Sequence, residues 1–306
     1  MILTVTPNPA LDMTWEVDRI EPGGAHRADT GAVRAGGKGL NVARVAHAQG
    51  ADVLAVTTAG GATGAELRAE LAASGVPHVL VPVVAATRRS AAWVDRALGD
   101  TTIVNERGIA PSVDEIDLLV AAVAEAAAAA SVVVISGSFA PGTPEGTLAR
   151  LIDAAGDRPV IVDTSGPLLL AAADAGAAVL KPNRAELVEA TGLTDPLAGA
   201  RELRRRGAGL VLLSLGADGM LVLGDLALRA RLATPLAGNP TGAGDAAVAA
   251  AATLFDEDRH DIETILRRAT AWSAAAVLMP LAGEISPRHP EIAAELRISP
   301  VDPDTL

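Results

Sequence analysis

The chain has 306 residues, half of them hydrophobic, enough to bury one large core or one core with a small appendage. A formal charge of -12, an aromatic content of 2% and the lack of Tyr argue against nucleic-acid binding through a positive field or stacked rings. With no Cys there are no disulfides, no thiolate chemistry and no Cys-held metal, and a reducing cytoplasm is the expected compartment.

The apolar start, Met1-Ile2-Leu3-Thr4-Val5-Thr6-Pro7, lacks a basic lead-in and a long apolar region, so it reads as a first strand and not as a signal peptide. Residues 13–20, leading toward Val33, then alternate polar and apolar side chains with period two. A helix is expected over 39–48, a strand over 53–57 and a helix over 64–74. Period two returns at 89–94 and, after Gly99-Asp100, at 101–105. Further on come a helix over 113–129, a strand over 132–136, a helix over 147–155 and strands over 160–163 and 179–181. Helices over 184–191 and 197–206, strands over 210–214 and 219–223 and a helix-favouring run at 246–254 complete the pattern. The run Ala126 to Ala130 sits on a helix carrying Asp114, Glu115, Asp117 and Glu125, so it reads as a soluble helix, and no apolar stretch reaches membrane-spanning length uninterrupted.

This βαβα rhythm, with strands apolar on both faces, indicates an α/β fold: a mostly parallel sheet covered by helices, with ligands gathering at the strand carboxyl ends. The alternating segments look like half-exposed antiparallel strands. They read as a small β lid, 12–33 and 87–108, inserted twice into a core of 1–11, 34–86 and 109–306; pattern alone equally allows two edge hairpins.

Lys38 and Lys181 are the only lysines, whereas arginine is abundant. Each lies in a punctuated motif, Gly36-Gly37-Lys38-Gly39-Leu40-Asn41 or Leu180-Lys181-Pro182-Asn183-Arg184-Ala185-Glu186. The asparagines, Asn8, Asn41, Asn105, Asn183 and Asn239, also fall in turn-like segments. Such placement suits sites that need a point-charge ammonium or a neutral amide. Gly238-Asn239-Pro240-Thr241-Gly242-Ala243-Gly244-Asp245 introduces a helix whose free first-turn amides favour an anion. Asp245 beside that nest is then a general base for phosphoryl transfer or a helix cap, with equal weight from this motif alone. Neither a dinucleotide Gly-x-Gly-x-x-Gly after a strand nor a Walker A loop is present, so a nucleotide needs another kind of site.

Together with Thr6-Pro7-Asn8-Pro9-Ala10-Leu11-Asp12, Ser136-Gly137-Ser138, Asp163-Thr164-Ser165-Gly166 and Ser214-Leu215-Gly216, these motifs resemble, in order and along the whole chain, the ribokinase-like PfkB carbohydrate kinase family. The likeness is greatest to the branch of 1-phosphofructokinase and tagatose-6-phosphate kinase. It implies a three-layer α/β/α sandwich with a β lid and ATP-dependent phosphorylation of a ketohexose phosphate, first of all fructose 1-phosphate to fructose 1,6-bisphosphate. By the same resemblance Asp245 is the base and Gly242, Ala243 and Gly244 form the anion hole. Asp12, Gly37 and Asn41 bind sugar hydroxyls, while Lys38, Arg88 and Ser138, with Arg27 from the lid, hold the sugar's phosphate. Lys181, Asn183, Ser214, Gly216 and Gly219 face ATP, and Glu186 and Asp163 face Mg²⁺. Where close relatives carry Asn two positions after the matching Arg, this chain has Ser90. A homodimer through the lid is implied as well. The rival readings are a kinase of tagatose 6-phosphate or fructose 6-phosphate, of a neutral sugar or nucleoside, or a noncatalytic sugar-phosphate sensor; a dinucleotide oxidoreductase is remote.

Overall fold

The computed structural model describes residues 1–301. The chain opens with β1 (Ile2–Thr6), leaves the main sheet for β2 (Ala10–Val17) and β3 (Ala32–Gly36), and returns through α1 (Lys38–Ala48) to β4 (Val53–Ala59), α2 (Gly61–Ser74) and β5 (His78–Pro82). A second excursion, β6 (Arg88–Asp95) and β7 (Asp100–Asn105), precedes α3 (Val113–Ala127), β8 (Val132–Ser136), α4 (Thr147–Asp153), β9 (Val160–Asp163), α5 (Pro167–Asp174) and β10 (Val179–Leu180). After α6 (Arg184–Thr191) and α7 (Pro196–Arg206) come β11 (Leu210–Ser214), β12 (Met220–Leu223) and β13 (Ala227–Arg231). Helices α8 (Ala243–Asp256), α9 (Ile262–Val277) and α10 (His289–Glu295) and strand β14 (Arg297–Pro300) close the chain.

The large sheet has the order β14-β13-β12-β11-β10-β9-β8-β1-β4-β5. Pairing is parallel from β11 to β5 and antiparallel from β11 to β14. Strand β1 shows why both faces are covered: Ile2 joins the core under Leu40, Leu67 and Ile265, while Leu3 and Val5 join that of Leu119, Leu151 and Leu169. Successive side chains alternate across a strand, so an uninterrupted apolar run needs a helical layer on each side. Helices α1, α2, α8 and α9 supply one layer and α3 to α7 the other. In α8 the alanines at 246, 247 and 249–252 are all fully buried, because the helix is pressed between the sheet and its helical neighbours. In α3 the buried residues Ile116, Leu119, Val123 and Ala127 form one stripe, and Ser112 and Glu115 close a capping box at its start. Among the described residues no helix is long and apolar enough to cross a membrane.

The alternating segments form a separate four-stranded sheet, β3-β2-β6-β7. Its outer pairs are antiparallel, but the central pair β2–β6 is parallel, which corrects the antiparallel expectation. The cause is topological: β2 and β6 continue from β1 and β5, which point the same way in the large sheet, so both leave in one direction. Strand β2 begins at Ala10 and β3 runs to Gly36, beyond the limits drawn from pattern at either end of the first insertion.

Candidate active site

The parallel strands end along one edge, and the functional side chains follow them: Ser138 shortly after β8, Asp163 as the last residue of β9, Lys181 after β10 and Ser214 as the last of β11. Together with the start of α1, the start of α8 and the inner face of the small sheet they enclose a cavity of about 1320 Å³. Every expected site residue lines it except Arg27, which lies on the exposed segment between β2 and β3.

At the deep end two carboxylates and two ammonium groups meet. Asp163, fully buried, lies 3.0 Å from Lys38 Nζ and 3.7 Å from Lys181 Nζ, and Lys38 Nζ also lies 3.4 Å from Glu186. Burial opposes the charge of Asp163, yet Lys181 and Lys38 hold its pKa below the usual carboxylate range. Burial likewise opposes the charge of Lys38, and Asp163 and Glu186 outweigh it, so the ammonium keeps its proton. Lys181 itself is buried against the backbone at Gly244, where an added Cβ would stand 3.0 Å from its Nζ. Asn183 is the N-cap of α6, accepting from the Glu186 amide at 2.9 Å, while Glu186 accepts from the Asn183 amide at 2.8 Å. Asn183 thus has a structural role as a helix cap, and the same capping box fixes Glu186 with its other oxygen toward Lys38.

Asp245 is not a cap. Gly242 occupies the N-cap position of α8 with φ 83°, a left-handed conformation that favours glycine, and Asp245 is the third helical residue. Its carboxylate accepts a 2.8 Å hydrogen bond from Asn41 Nδ2. Burial pushes its pKa up to about 6, with Asp163 adding to the rise and Lys38, Asn41 and Lys181 opposing it. In the adjoining turn the Ala243 amide donates to Pro240 O at 3.2 Å, so this member of the expected anion hole already has a partner. Gly244 and Asp245 contribute first-turn amides that α8 itself cannot pair.

The outer end is organised by the small sheet. Asp12 stands on β2 opposite Arg34 and Ser90, and its carboxyl occupies the space a side chain at residue 36 would need, which is why Gly36 is required. Burial raises its pKa to about 6 against the opposing charge of Arg88, and Asp245 adds to the rise. Arg88, whose pKa burial lowers, donates from Nε to Asn8 O at 3.2 Å and from Nη1 to Glu106 O at 3.1 Å. Asn8 Nδ2 in turn bonds Arg107 O at 3.1 Å and Ser138 Oγ at 3.3 Å. Asn8 therefore links Arg88 and Ser138, while the Lys38 ammonium bonds Asp163 in the carboxylate cluster. Sequence reasoning gave no role to Asn8, Glu106 and Arg107, although all three line the cavity. At the opposite end Thr270, Ser273 and Val277 of α9 also face it.

The profile of the pfkB family carbohydrate kinases matches residues 8–288. The chain belongs to this family. Among curated PfkB relatives, a 1-phosphofructokinase of Xanthomonas campestris is 36% identical over 307 residues, covering 95% of this chain and 96% of the relative. An ATP-dependent 6-phosphofructokinase isozyme 2 of Mycobacterium tuberculosis is 36% identical over 288 residues, 91% of this chain and 84% of its own. The crystal structure of phosphofructokinase-2 from Escherichia coli in complex with potassium superposes with a TM-score of 0.89 at 32% identity, covering 96% of this chain and 98% of that one.

Proposed function

We propose that this PfkB kinase transfers the γ-phosphoryl group of ATP to a hydroxyl of a ketohexose phosphate, with fructose 1-phosphate as the preferred acceptor and fructose 1,6-bisphosphate as product. The observation that carries the reading is Asp245: a buried carboxylate with pKa about 6, oriented by Asn41, at the start of a helix and beside a cluster holding both lysines of the chain. A carboxylate of that pKa is ionised at neutral pH yet basic enough to receive a proton.

In this mechanism Asp245 accepts the proton of the attacking hydroxyl as its oxygen bonds to the γ-phosphorus, and the bond from that phosphorus to the leaving ADP oxygen breaks. The first-turn amides at Gly244 and Asp245 and the Lys181 ammonium face the charge that spreads over the phosphoryl oxygens. Lys38 joins Lys181 on that side, since its ammonium sits with Asp163 and Glu186. Arg88 and Ser138, tied together by Asn8, take the phosphate already on the sugar; Asp12 and Asn41 take its hydroxyls. Asn183, Ser214, Gly216 and Gly219 border the nucleotide.

Among the described residues no three acidic or His side chains converge on a metal cage. Mg²⁺ carried by ATP phosphates needs only one or two protein carboxylates. Asp163 Oδ2, buried with no hydrogen-bond partner, and Glu186 are suited to it, and the ion would neutralise phosphate charge. We assign lid closure to the small sheet, which shields the transfer from water. Its outer face carries Trp15 stacked on Trp93 at 6.4 Å, with Met13 and the exposed Val33 and Val104 around them, and we assign it to a second copy in a homodimer.

The test is ADP release with Mg-ATP against fructose 1-phosphate, fructose 6-phosphate, tagatose 6-phosphate, fructose and ribose. Preferential turnover of fructose 1-phosphate is expected. Preference for another phosphosugar corrects the acceptor, and turnover of neutral sugars alone rejects the phosphate clamp.

A further inference from the structure

The two ends of the cavity come from distant parts of the chain. One residue outside the cavity lining ties the small sheet to the loop that follows α9. Arg34, on β3 of the small sheet, donates from Nη1 to Ala282 O at 2.7 Å and from Nη2 to Glu284 Oε1 at 2.6 Å. These partners lie 248 and 250 residues away, on the loop between α9 and α10. Among the described residues this is the sole polar tie from the small sheet to that loop.

Both ends of the tie are anchored. On the sheet side, the next residue, Ala35, donates its amide to Glu70 at 2.9 Å, and the buried Arg44 pairs with Glu70 and donates to Ala35 O. Arg34 also stands opposite Asp12 in the register of β2 and β3. On the loop side, Ala282 packs against the turn that starts α8, so that a Cβ at Gly242 would lie 2.9 Å from Ala282 Cα. Gly283 lies against Arg44 and Asn41, the residue that orients Asp245. The guanidinium thus holds the loop at two points, the Ala282 carbonyl and one Glu284 oxygen, and the ion pair is partly buried, 24% exposed on the Arg34 side chain and 32% on Glu284, where it fixes geometry better than at a fully solvated surface.

We propose that Arg34 is a positioning residue that couples the acceptor-facing sheet to the turn carrying Asp245, by clamping the Ala282–Glu284 loop against that turn. This rests on the kinase reading above. Small misplacements of such a turn cost rate and not binding, because the transition state is more demanding of geometry than the ground state. Sheet movement over the acceptor and alignment of the base then share one contact.

Wild type, Arg34→Ala, Glu284→Gln and Arg34→Lys are compared by steady-state kinetics and by amide hydrogen exchange without ligands. Arg34→Ala is expected to lower kcat about tenfold and Glu284→Gln, which keeps an acceptor oxygen but loses the charge, about threefold, while both KM values stay within about twofold. Arg34→Lys recovers part of the rate, since an ammonium can keep one of the two contacts. In Arg34→Ala, amides at 243–246 and 282–284 exchange faster than in wild type. Unchanged kcat with lowered thermal stability would reduce the clamp to a structural tie and overturn the proposal. A raised acceptor KM with intact kcat would make Arg34 an acceptor ligand instead, which also overturns it. If wild type phosphorylates no sugar, the functional reading fails, and the exchange arm alone decides the clamp: unaltered protection at 243–246 rejects it.

Discussion

The deep and outer ends of the cavity are built in contrasting ways. Around Asp163, Lys181 and Asp245 the side chains are almost wholly buried, stand at strand ends or in a helix first turn, and are held by one another's charges. Around Arg88 the partners are backbone carbonyls of Asn8 and Glu106, and Asn105, Glu106 and Arg107 are exposed. The pairing of Asp163 with the two lysines is costly to alter, because removing one partner strands another in low dielectric, whereas the Asp245 charge is itself opposed by burial. Loops held through carbonyls tolerate changes of side chain. On the proposed reading the deep end serves phosphoryl transfer, while the outer end selects the acceptor and can drift.

The sharpest break falls on the deep end. Asp245→Asn is expected to lower kcat about a thousandfold on every acceptor, within the range for a lost general base. The same variant should melt at higher temperature. Folding raises the Asp245 pKa from 3.8 to about 6, so the folded chain holds that proton more tightly, and its advantage is lost as pH rises through this window. At neutral pH the buried charge costs up to about 3 kcal/mol, which the amide removes. Thermal melts beside the rate assay check both signs.

Next, Lys38→Ala should reduce kcat about a hundredfold on neutral and phosphorylated acceptors alike, since its ammonium lies with Asp163 and Glu186. A loss confined to phosphosugars would move Lys38 to the outer end. In wild type, kcat/KM for the acceptor should fall on the acid side with a midpoint near the Asp245 pKa of about 6, because the base must be ionised in the free enzyme. A flat profile between pH 5 and 7, read over about two pH units, would remove Asp245 from that role. The smallest effect is expected for Ser90→Asn, opposite Asp12 on the sheet: acceptor selectivity shifts about threefold and the KM for ATP stays put.

Legibility in the sequence followed the same division. Strands β1, β4, β8, β9 and β11 were readable because an apolar run buried on both faces has few alternatives. Lys38, Lys181 and Asp245 stood out because rare residue types sat among glycines that must let the backbone approach. β5 and β14, the two edges of the large sheet, and the short β13 beside β14 carry partly exposed residues and so resemble loops in the sequence. Asn8 stood out among the five asparagines, but its linking role runs through a carbonyl and through Ser138, 130 residues away; Arg34 works through a loop 248 residues away and leaves no local signal. The α9 residues facing the cavity were hidden in an alanine-rich helix whose period marks burial and not ligand contact. The resemblance places Glu186 toward Mg²⁺, but its second use, closing the capping box of α6, needs the fold to be seen.

The most direct test of the division is kcat/KM for fructose 1-phosphate and for fructose, in wild type and in Arg88→Ala. Wild type should prefer the phosphosugar about a hundredfold, and Arg88→Ala should erase most of that preference while leaving fructose turnover unchanged. An unaltered preference in Arg88→Ala, or equal loss on both acceptors, would contradict the assignment of acceptor selection to the outer end.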